Sequence, residues 1–278
     1  MSVILNYMLL AAASPAELYE LTAGEFFVAG GREYGFGELY GRYEASELGR
    51  HHFEQPLRYA VDFGYGTRRQ MLTDLPPDIH PVTHMEINHR DLSALLMRYV
   101  CIDTAGILHD LTPEDIIAGR FASLVHDTGE NTSELLIARC GAVVGDIPHG
   151  KKTPEDKAKE RNVLETVMDM EYRDLPEWLL QRSVNIITHT EQSLIHAWYE
   201  ISHDFGVYAT GLAAGNLALS LLDDEHGTHR FQQLRRIATE VTVRARHSLE
   251  RQADEFPAVR PSLDISQRNF DQIVTQLS

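Results

Sequence analysis

The chain has 278 residues, of which 43% are hydrophobic, and a formal net charge of −16 from 25 basic and 41 acidic side chains. This length can bury a full core as one large domain or one domain with an appendage. The acidic balance argues against a protein that holds long nucleic acid through its phosphates, although a bound metal ion and a few basic side chains still suit a small anionic substrate. Only two cysteines occur, Cys101 and Cys140, which excludes a disulfide scaffold or zinc ribbon and fits a reducing compartment.

The first residues lack the features of a targeting segment. Residues 1–13 are mostly apolar but have no basic residue before the apolar run, and Ser14 and Pro15 then give a helix start. No stretch approaches the roughly 20 apolar residues of a membrane span. We therefore expect a cytoplasmic protein with no membrane segment.

Residues 1–66 are predicted to form an N-terminal appendage of mixed or irregular structure. A short helix is predicted near residues 14–23, after which glycines and aromatic residues dominate up to Gly66. A lid, a dimer contact and a cover over one side of the core are all open, and the cover is the simplest interpretation. Prolines 76, 77 and 81 then interrupt the chain before a helical pattern returns.

Helical periodicity dominates from residue 89 onward, so an all-α core over residues 67–278 is predicted. Thr112-Pro113 and Thr153-Pro154 are each followed by two acidic residues, a pattern typical of a capped helix start. The longest apolar-periodic run extends from about 186 to 222. An amphipathic helix over 229–255 is predicted to be the last, with a short tail behind it.

A predicted helix of small and apolar residues leads into the adjacent pair His126-Asp127. Glu130 follows one turn further, and Gly129 is expected to end the helix. Neighbouring side chains point about 100° apart in mid-helix, but at a fraying end both can reach one ion. An imidazole and a carboxylate together suit a divalent ion of intermediate hardness, such as Mn, Fe, Co, Ni or Zn.

Two further residues fall on predicted inward faces. His89 lies three residues before Leu92, and Asp204 lies four before Tyr208. A buried ionised carboxylate is costly unless a cation or hydrogen-bond donors satisfy it. A metal ion would do so for Asp204, and a nearby arginine or a polar seam would serve equally well.

The order of these residues resembles the HD-domain phosphohydrolase superfamily. Such enzymes carry a histidine, a His-Asp pair some 35 residues later and a distant aspartate; here His126 follows His89 by 37 residues (126 − 89) and Asp204 follows Asp127 by 77 (204 − 127). The resemblance covers about residues 67–220 and implies an HD-type helical bundle.

Within that superfamily the chain is most similar to the 5′-deoxynucleotidase branch. The matching features are, in order, His126-Asp127-x-x-Glu130, Gly145-Asp146-Ile147-Pro148, Lys151-Lys152, and Glu160 or Glu165. Two features depart from that branch. Glu130 and Asp146 are 16 positions apart (146 − 130), which indicates one extra helical segment, and Asn88-His89-Arg90 stands where the branch has Glu-His-Ser.

The resemblance implies removal of the 5′-phosphate of deoxynucleoside monophosphates with one divalent metal ion (Mn, Co, Fe, Ni, Zn or Mg). It implies His89, His126, Asp127 and Asp204 as metal ligands and Glu130 as the catalytic acid or base. Asp146 would contact the sugar 3′-hydroxyl, and Arg69 and Lys151 (or their neighbours Arg68 and Lys152) would contact the phosphate. A homo-oligomer, a dimer or larger, goes with the same expectation.

Several alternatives stay open. A deoxynucleoside triphosphate triphosphohydrolase of the phage type would release tripolyphosphate. A cyclic-nucleotide phosphodiesterase is a third, weaker enzyme alternative. A nucleotide-binding regulatory module with an inactive HD site and a metal-free helical scaffold belong to other classes. His203 is interpreted as an incidental neighbour of Asp204, and His84 as the rival of His89. The remaining histidines considered are expected at turns or on the surface: His51, His52, His109, His226, His229 and His247.

Overall fold

The computed structural model of the chain describes residues 26–54, 111–145, 152–220 and 228–277. The first range begins with an antiparallel hairpin of β1 (Phe26–Ala29) and β2 (Arg32–Gly35). The two turn residues, Gly30 and Gly31, have φ values of 59° and 77°. Both central positions of this tight hairpin turn need positive φ, which glycine adopts without steric cost.

Two short helices follow the hairpin and pack on the rest of the chain. They are α1 (Phe36–Ala45) and α2 (Glu47–Glu54). The Tyr34 hydroxyl donates to the backbone oxygen of Asp174 at 3.0 Å, and the Tyr172 hydroxyl donates to that of Leu39 at 3.1 Å. The described part of the predicted appendage is thus a mixed α and β segment held against the helical core.

The second and third ranges contain the helices that carry most of the candidate residues. They are α3 (Pro113–Val125), a 3-10 helix (His126–Glu130), α4 (Glu134–Cys140), α5 (Pro154–Glu171) and α6 (Glu177–Ile187). Thr112 and Thr153 each form a capping box, in which the hydroxyl accepts from the third helical N–H and that residue's carboxylate accepts from the cap N–H. The two predicted capped starts are confirmed.

Three more helices complete the described chain: α7 (Leu194–Ser220), α8 (Thr228–Glu255) and α9 (Arg260–Leu277), with a 3-10 turn at Pro257–Val259. α7 packs along α8 and also contacts α3 and α9. The predicted run 186–222 is divided between α6 and α7, because the chain turns at His189, which has a φ of 55°. The predicted short tail is wrong: prolines 257 and 261 start new helical turns and do not end helix formation.

The fold class is all-α, as predicted, with the small N-terminal hairpin. α3 lies at its centre, and its residues Ala118–Val125 are buried. His52 corrects the surface prediction made for it: it is fully buried, and its Nδ1 lies 3.0 Å from the Tyr43 hydroxyl. Within the described ranges, no helix combines the length and apolar character that crossing a membrane requires.

Candidate functional site

His126 and Asp127 lie where α3 tightens into the 3-10 helix. Small residues on α3, including Ala118, Gly119 and Ala122, are fully or nearly fully buried and allow neighbouring helices to approach closely. The tighter 3-10 turn then presents two consecutive side chains to the same region, with Nε2 of His126 3.0 Å from Oδ1 of Asp127. The side chains are 7% and 19% exposed, so the pair is buried but reachable.

The hydrogen bonding of His126 fixes which ring nitrogen carries a proton. Its Nδ1 lies 2.7 Å from the backbone oxygen of Ser123. A carbonyl oxygen only accepts, so Nδ1 carries the hydrogen. In the neutral ring Nε2 then has a lone pair directed at the Asp127 carboxylate. Two acceptors 3.0 Å apart attract only through a proton on Nε2 or through a cation bound to both.

This arrangement fits a metal ligand. Histidines that bind metals characteristically donate their second ring N–H to a backbone carbonyl or carboxylate, which sets the tautomer and the ring orientation. His126 makes such a bond to Ser123. The donor set of imidazole and carboxylate suits Mn, Fe, Co, Ni or Zn.

His203 of α7 lies against the pair, and Asp204 follows it on the same helix. The His203 ring meets the His126 ring edge-on, with centroids 5.0 Å apart, so His203 is part of the site and the interpretation of it as incidental is wrong. Nδ1 of His203 lies 3.6 Å from Oδ1 of Asp204. Burial lowers the pKa of His203, but its hydrogen bond with Asp204 and the charges of Asp204, Glu200 and Asp127 outweigh burial and raise that pKa.

The side chain of Asp204 is 15% exposed, so the carboxylate is directed into the protein and away from bulk water. Its Oδ2 accepts a hydrogen bond of 2.8 Å from Nε2 of Gln252 on α8. A second helix therefore holds the orientation of this predicted ligand.

Several carboxylates surround Tyr199, one turn before His203. Burial raises the pKa of this phenol well above its usual value, and the charges of Glu200, Asp127, Glu160 and Asp204 raise it further. Four acids from three different segments therefore produce a negative potential at this point of the fold. Such a potential favours a bound cation.

Glu130 belongs to a three-residue ion cluster. Nζ of Lys152 lies 2.8 Å from Oε1 of Glu130 and 2.8 Å from Oε1 of Glu160, and all three side chains are 11–15% exposed. Burial lowers the pKa of Lys152, but the two carboxylates outweigh it and the pKa rises well above the usual lysine value. The sequence left Glu160 and Glu165 as alternatives for the helix glutamate of the motif. Glu160 is the one that shares Lys152 with Glu130. Glu165 pairs with Arg161 at 2.8 Å on an exposed surface.

A second group of possible metal ligands lies in the turn before α7 and on the first part of that helix. His189, His196 and Glu200 each offer an atom within 4.8 Å of the other two, and they are the one such set of three in the part of the chain that the structure describes. The ligand atoms of His126, Asp127 and Asp204 do not form a set with that spacing. Burial lowers the pKa of His196, which favours the neutral ring that binds metals.

The other predicted site residues lie outside the described ranges: His89, Arg69, Asp146 and Lys151. The extra segment expected between Glu130 and Asp146 is the helix α4. Sequence reasoning missed His189, His196, Glu200 and Gln252. The spacing of His196, Glu200, His203 and Asp204, at i, i+4, i+7 and i+8, was a signal of one shared helix face.

Comparison with protein-family models, with curated proteins and with solved structures gives no match. The geometry of the site and the resemblance of its motifs therefore carry the functional argument.

Proposed function

We propose that the chain is a metal-dependent phosphohydrolase of nucleotides that removes the 5′-phosphate of deoxynucleoside monophosphates. One observation carries the metal-dependent part. The His126 ring donates from Nδ1 to a backbone carbonyl, and its Nε2 lies 3.0 Å from the Asp127 carboxylate. That arrangement is the one expected of two ligands of a shared cation.

The proposed ligands come from separate segments. His126 and Asp127 at the end of α3, together with Asp204 on α7, would hold a divalent ion, and the motif resemblance adds His89. Such an ion supplies a Lewis acid for a phosphate oxygen and lowers the pKa of a bound water. Gln252 would keep the Asp204 carboxylate oriented through its 2.8 Å hydrogen bond.

Glu130 is the proposed acid or base. It lies three residues beyond Asp127 on the same 3-10 helix, and Lys152 holds its Oε1 at 2.8 Å. The lysine holds one carboxylate oxygen in place, and the proposed role of the carboxylate is to orient a water or to pass a proton to the leaving oxygen. Lys152 also brings a positive charge to an acidic region, which favours the approach of a phosphate.

The substrate assignment rests on the motif resemblance. Asp146 would select a deoxyribose through the 3′-hydroxyl, and Arg69 and Lys151 would bind the phosphate, since guanidinium and ammonium groups suit phosphate oxygens. A cytoplasmic setting and a homo-oligomer, a dimer or larger, belong to the same proposal. Light scattering of the purified protein tests the oligomer.

The test is a substrate screen with the full chain. Nucleoside mono-, di- and triphosphates, ribo and deoxy, are incubated with the Mn- and Co-loaded protein, and both orthophosphate and tripolyphosphate are assayed. Orthophosphate from deoxynucleoside monophosphates is the expected result. Tripolyphosphate would instead identify a triphosphohydrolase, and nucleotide binding without turnover would identify a regulatory module.

Two variants assign the roles. Asp127→Ala should abolish turnover and remove one equivalent of bound metal, whereas Glu130→Gln should keep the metal and lower the rate about 10²–10⁴-fold. Glu177→Gln, at an exposed glutamate of α6, is the matched control and should leave both unchanged. Full turnover by Asp127→Ala would remove that residue from the site, and an unchanged rate for Glu130→Gln would refute its role.

A further inference from the structure

We propose that His189, His196 and Glu200 bind a divalent transition-metal ion of the zinc, cobalt or nickel class, at a site separate from His126 and Asp127. The inference does not depend on the proposed hydrolase activity. It follows from the positions of three ligand atoms and from the contacts that hold the segment carrying His189.

The three atoms form a compact triangle. Nε2 of His196 lies 2.9 Å from Nδ1 of His189, and Oε1 of Glu200 lies 3.8 Å from the His189 nitrogen and 4.0 Å from the His196 nitrogen. The point equidistant from all three is about 2.1 Å from each atom, within the zinc distances of about 2.0–2.1 Å to nitrogen and about 2.0–2.2 Å to oxygen. A small cation therefore fits between the atoms with little side-chain movement.

A hydrogen bond between the two rings explains only part of this arrangement. It accounts for the 2.9 Å contact between the nitrogens. It does not account for Glu200, whose Oε1 is too far from either nitrogen for a hydrogen bond and yet faces the space between them. A cation bound by all three atoms explains the positions of the two rings and the carboxylate together.

His189 lies in a turn that neighbouring helices hold in place. Nη1 of Arg161 on α5 donates to the hydroxyls of Thr188 and Thr190 at 3.2 and 2.9 Å, and its Nη2 donates to Oδ1 of Asn185 at 3.0 Å. These bonds bracket His189 on both sides. Ligands that are positioned before the ion binds lose little conformational freedom on binding, which favours affinity.

His189 has a φ of 55°, and no other non-glycine residue in the described ranges has positive φ. Asparagine would adopt this left-handed conformation at least as readily as histidine. An imidazole at this position can bind a metal ion through a ring nitrogen, which an asparagine does not provide. On α7, His196 and Glu200 are four residues apart and so share a helix face.

Two imidazoles and one carboxylate make three protein ligands. Zinc sites with three protein ligands keep a fourth position for water or another small ligand, whereas structural zinc sites are closed by four. The side chains of His189, His196 and Glu200 are 34%, 18% and 27% exposed, so such a ligand can reach the ion from solvent.

Metal stoichiometry of the full chain tests the inference. The protein is freed of metal with a chelator, returned to chelator-free buffer and titrated with Co²⁺, and bound cobalt is measured by equilibrium dialysis and by its visible absorption. His196→Gln and Glu200→Gln should each lose one equivalent, and so should His189→Asn, which keeps a residue that tolerates positive φ. His247→Asn, an exposed histidine on α8, is the matched control and should bind cobalt like the unmodified protein.

Asp127→Asn separates this site from the His126–Asp127 site. If His196→Gln loses an equivalent of bound cobalt and Asp127→Asn keeps that equivalent, the proposed site is supported even if no hydrolysis is found. Unchanged stoichiometry in all three ligand variants overturns it. In the unmodified protein, Zn²⁺ should also protect His189 and His196 from diethyl pyrocarbonate in peptide mapping, and equal modification with and without Zn²⁺ would count against the site.

Discussion

Lys152 allows a direct test of how the protein stabilises the buried carboxylates of Glu130 and Glu160. Its Nζ lies 2.8 Å from both Glu130 and Glu160, and the side chains of all three residues are at most 15% exposed. Lys152→Met keeps the length and apolar stem of the side chain and removes only the charge. Two carboxylates are then left facing each other without their common partner.

The magnitude follows from this geometry. A single pair of unit charges 2.8 Å apart attracts by about 6 kcal/mol at an effective dielectric constant of about 20. Desolvation of the buried ions cancels much of that gain, and removal of one partner of a buried pair costs roughly 3–5 kcal/mol. Water can enter at the remaining exposure, so we take the lower end, about 3 kcal/mol. For a chain of this size the melting temperature should fall by about 6–12 °C.

The assay is thermal denaturation in the presence of a chelator, so that no metal ion compensates for the lost ammonium group. Lys159→Met, on the α5 helix that follows Lys152, is the matched control, because Lys159 pairs with Glu155 at 2.7 Å but the side chains are 35% and 78% exposed. Such an exposed pair contributes little to stability, because solvent screens it. Adding Glu160→Gln to Lys152→Met should recover roughly half of the loss, since one of the two unpaired charges is gone.

Equal melting temperatures for Lys152→Met and Lys159→Met would refute this reasoning. So would a double variant that is no more stable than Lys152→Met, because the loss would then not come from the uncompensated carboxylates.

Three further predictions concern the packing around the candidate site. Gly129→Ala should lower stability by about 1–3 kcal/mol in thermal denaturation, because the new Cβ would lie 3.0 Å from Cγ and 3.1 Å from the backbone oxygen of Glu160; a stability equal to wild type would contradict this contact. Asn131→Ala should cost about 1–3 kcal/mol and speed proteolysis of residues 26–54, because the buried amide donates to the Leu48 carbonyl at 2.7 Å; unchanged cleavage would argue against that role. Thr153→Ala should cost about 1 kcal/mol through loss of the α5 capping box, with Thr153→Ser retaining most of the stability.

The helix starts could be predicted because their signals are local. Thr112 and Thr153 each precede a proline and two acids, and a capping box needs only residues three positions apart. Gly129 was predicted to end the helix that follows Thr112, but α3 ends at Val125 and Gly129 lies within the 3-10 helix that follows. The structure adds a different reason for that glycine, since α5 approaches so closely that a side chain would meet Glu160.

Which side chains of a helix point toward the site, by contrast, depends on tertiary packing. Glu160 and Glu165 are equally acidic in the sequence, and only the packing of α5 against the 3-10 helix brings the first to Glu130 and leaves the second with Arg161. His52 was predicted to lie on the surface. The local sequence does not indicate that its ring is buried and hydrogen-bonded to the Tyr43 hydroxyl. Contacts between residues far apart in sequence carry no periodic signal.

The turn at His189 was hidden for a related reason. Residues 186–222 show apolar periodicity almost throughout, and a single left-handed residue that breaks a helix has no sequence signature when it is not glycine. The predicted run 186–222 therefore began at the last two residues of α6 and continued across the turn into α7, which left the position of His189 beside His196 unpredicted. The i, i+4 spacing of His196 and Glu200 alone could not have indicated a three-ligand group.

One face of α7 carries several polar and charged side chains whose partial burial costs desolvation free energy. That cost is a general argument for cation binding at this face. His196, Glu200, His203 and Asp204 lie along it at i, i+4, i+7 and i+8, with Tyr199 buried among them and its pKa raised by the surrounding carboxylates. Apolar side chains at these positions would pack α7 against its neighbours without any desolvation of charge. A fold that needed only a core would gain stability from that exchange, and this cost supports the two proposed cation sites. Cations held at the His126–Asp127 pair and at the His189 group would each offset the charge of this face.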